Sequence, residues 1–237
     1  MFIMLDGIDG SGKSTIIKTW KDYLTAEGNA IFDLTDYGKT NGDYPAYAEL
    51  KSYDFIFSSE PNYVGIGKII REELINKNNN YPPRAIAESY SLDRLILYKK
   101  IIIPALQDKK CVVQDRGVST SLCYQPTMEK SLTTTIVSNL VGNKLALQYR
   151  PDHLVLLAID PEQALRRLTG RSNKQDNVIF ERLTFQKKIA RTFASSNYQR
   201  LFTRRGSVIH NLPAEENVGI MKKRATDLLR TLLIHHS

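Results

Sequence analysis

The stretch GIDGSGKST, residues 7–15, comes after six residues, four of which form the apolar run Phe2-Ile3-Met4-Leu5. Its spacing, Gly7-x4-Gly12-Lys13-Ser14, is that of a phosphate-binding loop, in which glycines let main-chain N–H groups wrap phosphate oxygens with no Cβ in the way. In such a loop Lys13 adds a point charge near the β- and γ-phosphates, and Ser14 offers a hydroxyl to Mg²⁺. A ligand-free glycine turn is the competing reading, and the surroundings decide against it. Residues 2–5 read as a short buried strand, while Ile16, Ile17, Trp20, Tyr23 and Leu24 recur at helical spacing immediately after the loop. Strand, loop and helix together make Gly7, Ile8, Asp9, Gly10, Ser11, Gly12, Lys13, Ser14 and Thr15 the expected contacts of nucleotide phosphates. The Lys13 side chain is expected to stand clear of the core.

The rest of the chain fits that start. At 237 residues it can bury a sizeable core, and it is read as one domain spanning 1–237. A net charge of +8 favours anionic partners, although a solvated basic surface accounts equally well for many of those charges. The two cysteines, Cys111 and Cys123, suggest neither a metal knot nor a disulfide framework, and a reducing cytoplasm is the expected home. The opening apolar residues run straight into the loop, so they are not read as a cleaved signal, and no apolar stretch approaches the ~20 residues of a membrane helix.

Further strands are predicted at 30–32, 54–57, 111–114 and 154–157. Helices are predicted within 67–74, from Pro83 to about Tyr98 or beyond, from near Val118, and over 161–170, 179–201 and 214–234. Alternating strands and helices imply an α/β protein with a doubly wound parallel sheet flanked by helices. In such sheets ligands sit at the carboxyl ends of the strands, so the residues just after each strand carry the search for function.

Three segments there stand out: SSEPNYVGIGKIIR with Glu60-Pro61, Gly67 and Ile70-Arg71; AESYSLDRLILY with Tyr90 and Asp93-Arg94; and VVQDRGVSTSLCYQ with Asp115-Arg116, Ser121 and Tyr124-Gln125. Tyr90 and Arg94 lie one helical turn apart and share a face, able to present a ring to a base and a guanidinium to a phosphate. Spacing alone favours a core tyrosine beside a surface ion pair at Asp93. A charged pair closing the buried strand before Gly117 has little reason to be there unless something binds. Together with the loop and DPEQALRRLTGR at 160–171, these segments, in this order, resemble the thymidylate kinase family over roughly residues 1–200.

The resemblance implies a P-loop nucleoside monophosphate kinase that uses ATP and Mg²⁺ to phosphorylate dTMP, as a homodimer. It implies that Tyr90 stacks on the acceptor base, that Arg94 and Glu60 serve that nucleotide, and that Arg116 holds its phosphate. Asp115 then lies near the metal, Ser121 and Gln125 read the base edge, Tyr124 presses on the sugar, and Asp9 faces the sugar hydroxyl. Residues 166–181 correspond to the family's lid, in which Arg171 matches the position that serves the transition state. Four departures stand against this pattern. Ser59 replaces the arginine usual before Glu-Pro, leaving Lys39, Lys68 or Arg71 to supply that contact; residues 36–53 look like an insertion; the lid is longer, with Val178 in place of an acid; and Ala190 stands where arginine is frequent. A kinase of another nucleotide or of a nucleoside stays open, since fold does not fix substrate. So does a non-catalytic nucleotide- or nucleic-acid-binding protein, although the arginines sit singly at strand ends instead of in a basic stripe.

Overall fold

The computed structural model describes residues 1–76, 78–169, 182–214 and 217–234. Among them, six strands form one sheet: β1 (Phe2–Gly7), β2 (Ile31–Asp33), β3 (Phe55–Ser59), β4 (Cys111–Asp115), β5 (His153–Ala158) and β6 (Val208–Pro213). The spatial order is β2-β3-β4-β1-β5-β6, and every neighbouring pair is parallel. β1 is buried along its whole length, as expected of a central strand covered on both faces. The chain leaves β1 toward one edge, returns through β4 to β1's side, and then builds β5 and β6 on the other side. That reversal opens a crevice above the carboxyl end of β1. Register sharpens it: Leu5 pairs with Asp115, and Asp115 with Ser59, so the ends of β1, β4 and β3 lie level.

Helix α1 (Lys13–Ala26) buries Ile16, Trp20 and Leu24 and is fastened to α12 (Val218–Ile234) by the Trp20 indole N–H, which donates to the Ala225 carbonyl at 2.8 Å. Between β2 and β3 lies α2 (Leu34–Asn41), whose N-cap Asp33 accepts the Asp36 amide at 3.0 Å. This helix has no apolar stripe to announce it, and the sequence reads there only as a polar connection. A 3₁₀ turn (Tyr47–Leu50) follows, anchored by the fully buried Leu50.

After β3 come α3 (Gly65–Ile69), which runs into a π turn (Ile70–Leu74), and α4 (Pro83–Leu97), which runs through a π turn (Tyr98–Ile102) into α5 (Ile103–Gln107). The second π turn precedes Pro104, which has no N–H to continue an α ladder. Then come α6 (Val118–Met128), α7 (Thr134–Asn139), α8 (Val141–Gln148), α9 (Pro161–Thr169), α10 (Leu183–Ala194) and α11 (Ser196–Thr203). The single helix expected over 179–201 is therefore two within the described residues, divided at Ser195, whose extended backbone and hydroxyl cap α11. α7, α8 and the edge strand β6 were not predicted; β6 leaves Val208 half exposed and carries His210 and Asn211, which breaks the apolar run. Of residues 166–181, expected from the resemblance to form a lid, 170–181 lie outside the described residues.

Candidate active site

The phosphate loop turns out of β1 on glycines whose backbone is left-handed, at φ 78° for Gly10 and 102° for Gly12. Gly10 is also sterically pinned: a Cβ there would lie 2.3 Å from the Ala164 carbonyl oxygen, because α9 packs directly on the loop. The first-turn N–H groups of α1 open onto the loop, a disposition that favours phosphate. Lys13, expected clear of the core, is instead buried. Its ammonium donates to the carbonyls of Gly7 (3.0 Å) and Ile8 (2.8 Å) and to the Ser11 hydroxyl (3.3 Å). Burial, helped by the Arg116 charge, brings its pKa down to about 8 against the pull of Asp115, Asp9 and Asp6.

Asp6, which the sequence reading passed over, organises the floor. Fully buried, it accepts from the Gly7 amide (2.7 Å), the hydroxyls of Ser119 (2.5 Å) and Thr120 (2.7 Å), and Arg116 Nη1 (3.4 Å). An acid inside a buried apolar strand, immediately before the loop, was the available signal. Arg116 holds left-handed backbone at φ 65°, uncommon outside glycine, and donates to Asp6, to the Gly7 carbonyl (3.2 Å) and to Asp9, while its guanidinium lies 5.7 Å from the Tyr124 ring centre. Asp9 is gripped from the other side by Gln186 on α10, which donates to its carboxylate (2.9 Å) and accepts its amide (3.2 Å). Gln186 carried no sequence signal, since its partner is 177 residues away.

Asp115 fits a divalent cation. Its Oδ1 is shut from solvent with no hydrogen-bond partner among the described residues, and burial raises its pKa against the nearby Lys13 and Arg116 charges. Ser14 lies on the exposed side of the same cavity. Among the described residues no three acids, histidines or cysteines cluster as a metal site. Mg²⁺ does not require such a cage, since it is commonly held by one or two protein oxygens plus substrate phosphates.

A cavity of about 780 Å³ opens between the loop, the end of β3, α4 and α6. Asp9, Ser14, Glu60 and Tyr90 line it, and so do Arg94, Asp115, Arg116, Ser121, Tyr124 and Gln125. Arg94, only 1% exposed, is engaged at both terminal nitrogens, by Asn143 at one and by Glu60 and Ser121 (3.1 Å) at the other; its Nε has no partner among the described residues. Glu60 is saturated in turn by Arg94 and by the Gln114 amide (2.7 Å), and burial raises its pKa against the lowering effect of Arg94. Tyr124 packs edge-on against Phe185 at 5.6 Å. Gln125 is buried at the cavity wall, with its Oε1 unpartnered among the described residues. Asp93 is not on the surface: it is buried, accepts the Asn62 amide at 3.1 Å, and has its pKa raised to about 7 by burial and the Glu60 charge.

Of the cations considered for the missing arginine, Lys39 and Arg71 line the cavity; Lys68 does not, and pairs with Glu72 at 3.9 Å on the surface. Ser59 donates no charge and shares a hydrogen bond of 3.1 Å with Thr35. Arg171 lies outside the described residues. Ala190 packs against the core beside Ile8 and Phe193.

A six-stranded parallel sheet, a lysine-bearing glycine loop at its switch point and a facing polar cavity define a P-loop protein built for nucleotides. The profile described as Thymidylate kinase matches residues 36–224. That span starts beyond the phosphate loop, so the loop is a separate observation. The chain is similar to the thymidylate kinases of Kosmotoga olearia (29% identical, covering 80% of this chain and 78% of that protein), Bacillus velezensis (26%, 98% and 96%) and Clostridium novyi (30%, 79% and 80%). The chain belongs to the thymidylate kinase family.

Proposed function

We propose that the protein transfers the γ-phosphoryl group of ATP to dTMP, with Mg²⁺, yielding ADP and dTDP. The observation that carries this reading is Arg116, which touches the phosphate loop at Gly7 and Asp9 while lining the acceptor cavity, so one guanidinium borders both substrates. The acceptor phosphate is an anionic nucleophile at neutral pH, and it needs alignment and charge neutralisation more than a general base.

Cavity placement and the family resemblance together support the roles proposed for each residue. The loop amides and Lys13 hold the donor phosphates, and Arg116 draws the acceptor phosphate toward them. Ser14 and Asp115 would hold Mg²⁺, which when bound neutralises charge on the transferred group. Gln125 Oε1 and the Ser121–Arg94 pair face the base edge, Tyr90 offers its ring as a stacking surface, and Tyr124 crowds the sugar's 2′ side. Asp9, braced by Gln186, is left to face the sugar hydroxyl. The packing of Ala164 on Gly10 leaves no room for a side chain in the loop at that position, which supports the family-based assignment of the transition-state cation to Arg171. The homodimer belongs to the same reading, as does a cytoplasmic setting; among the described residues no helix is long and apolar enough to cross a membrane.

A coupled ADP-release assay across dTMP, dUMP, dCMP, dGMP, UMP and thymidine tests the substrate. An aromatic stack tolerates any base, so the polar edge must choose; a lost buried hydrogen-bonding match costs ~1–3 kcal/mol, or about ten- to a hundred-fold. The kcat/KM for dTMP should exceed that for dCMP, dGMP and UMP by that range, with dUMP nearest. Equal use of a purine monophosphate, or of unphosphorylated thymidine, would overturn the assignment.

A further inference from the structure

The family pattern places an arginine where this chain has Ser59, at the end of β3 where it lines the cavity. The structure puts two other cations in the same cavity. Lys39 on α2 and Arg71 at the π turn after α3 both lie over the ring of Tyr63, at 4.7 Å and 4.1 Å from its centre, so their charges stand no more than about 9 Å apart. All three side chains line the cavity.

Their neighbourhood sets them apart from the cavity's other cations. Arg94 is neutralised by Glu60, Lys21 by Asp33, and Arg116 by Asp9 and Asp6. Arg71 pairs with no carboxylate among the described residues. Its Nε donates to the carbonyls of Pro61 (2.8 Å) and Asn62 (3.3 Å), and Nη2 to Pro61 as well, which fixes the guanidinium, with Asp93 and Asp115 acting on it only through space. Beyond the Tyr63 ring, the one ion pair of Lys39 among the described residues is with Asp36, at 3.1 Å and one helical turn away; both groups are about half exposed or more, so the pair contributes little and the ammonium can swing. Two like charges beside one ring repel each other, and a shared anion relieves that repulsion.

Local architecture delivers Lys39 to this place. Gly38 lets α2 approach the turn after β3 so closely that a Cβ there would stand 3.0 Å from a Val64 methyl and 3.6 Å from Tyr63 Cβ. Tyr44, farther along the same segment, accepts from the Asn62 side chain. The segment 36–53 is thus clamped on the turn that follows Glu60.

We propose that Lys39 and Arg71, flanking Tyr63, bind the phosphate of the acceptor monophosphate in place of the arginine that Ser59 does not provide, with residues 36–53 serving to carry the lysine. The inference rests on the kinase reading above and deepens it. The ligand is a nucleoside monophosphate dianion, gripped by Arg116 on one side and this pair on the other.

Calorimetric titration with dTMP and with thymidine separates phosphate recognition from pocket integrity. Lys39→Gln and Arg71→Gln remove the charges, the second retaining an amide donor for the Pro61 carbonyl. Each should weaken dTMP binding about ten-fold or more, as expected for loss of a charge-assisted hydrogen bond, and leave thymidine within about two-fold. Adding Ser59→Arg to Lys39→Gln should recover dTMP affinity. Unchanged dTMP binding in both variants, or parallel weakening of dTMP and thymidine, overturns the inference while the kinase reading survives. Failure of the unaltered protein to bind dTMP at all overturns both.

Discussion

Arg116 occupies left-handed backbone, where a side chain with a Cβ is disfavoured by roughly 1–2 kcal/mol. Such strain at the end of a buried strand persists only where the surroundings enforce it, here through Asp6, Asp9 and the Leu5 carbonyl, which accepts the Arg116 amide at 2.9 Å. Arg116→Gly should therefore resist urea better than Arg116→Ala by about 1 kcal/mol, although both lose phosphate transfer alike; equal stabilities would mean that the backbone is relaxed in solution. Asp93 gives a pH signature. Its folded pKa of about 7 lies above the ordinary carboxylate value of 3.8, so the protein binds this proton more tightly folded than unfolded. Stability from this group is complete below about pH 4 and drains away as pH rises to about 7. Denaturation of Asp93→Asn across that range should show the variant gaining on the unaltered protein with pH and then levelling off. A difference independent of pH would mean that Asp93 titrates normally.

Among the elements, α9 rests directly on the phosphate loop at Gly10. Gly10→Ala brings a Cβ to 2.3 Å from the Ala164 carbonyl in a backbone that disfavours alanine. It should cost about 1–3 kcal/mol of stability and weaken ATP binding as α9 is displaced, measured by urea titration and calorimetry. A silent Gly10→Ala would mean that α9 does not rest on the loop. Which elements the sequence disclosed follows from the same physics. Strands buried on both faces, β1, β3, β4 and β5, announce themselves as short apolar runs. The helix α2 is held by a cap and by close approach at Gly38, and β6 is an exposed edge mixing polar and apolar residues, so neither leaves a periodic trace; α10 and α11 do, but the single capping serine that divides them does not. The site divides similarly. Residues in local motifs, from the loop to Asp115-Arg116 and Tyr124-Gln125, could be named in advance because their spacing is short. Asp6 had a signal that passed unread. Gln186 and Asn143 had none, since each meets its partner only through the fold.

Taken whole, the molecule sets a phosphate loop on one side of a strand-end crevice and a polar cavity on the other, with Arg116 between them. Family membership makes the chain a nucleotide kinase, and Tyr90 and Gln125 line the cavity beside the loop. The central claim is a direct phosphoryl transfer between two bound nucleotides. Chromatographic analysis of products from ATP, Mg²⁺ and dTMP tests it most directly, with Lys13→Ala as the matched control. One dTDP should form for each ADP, and the variant should lose the reaction by orders of magnitude; ADP appearing without dTDP, or dTDP formation undiminished in Lys13→Ala, would contradict it.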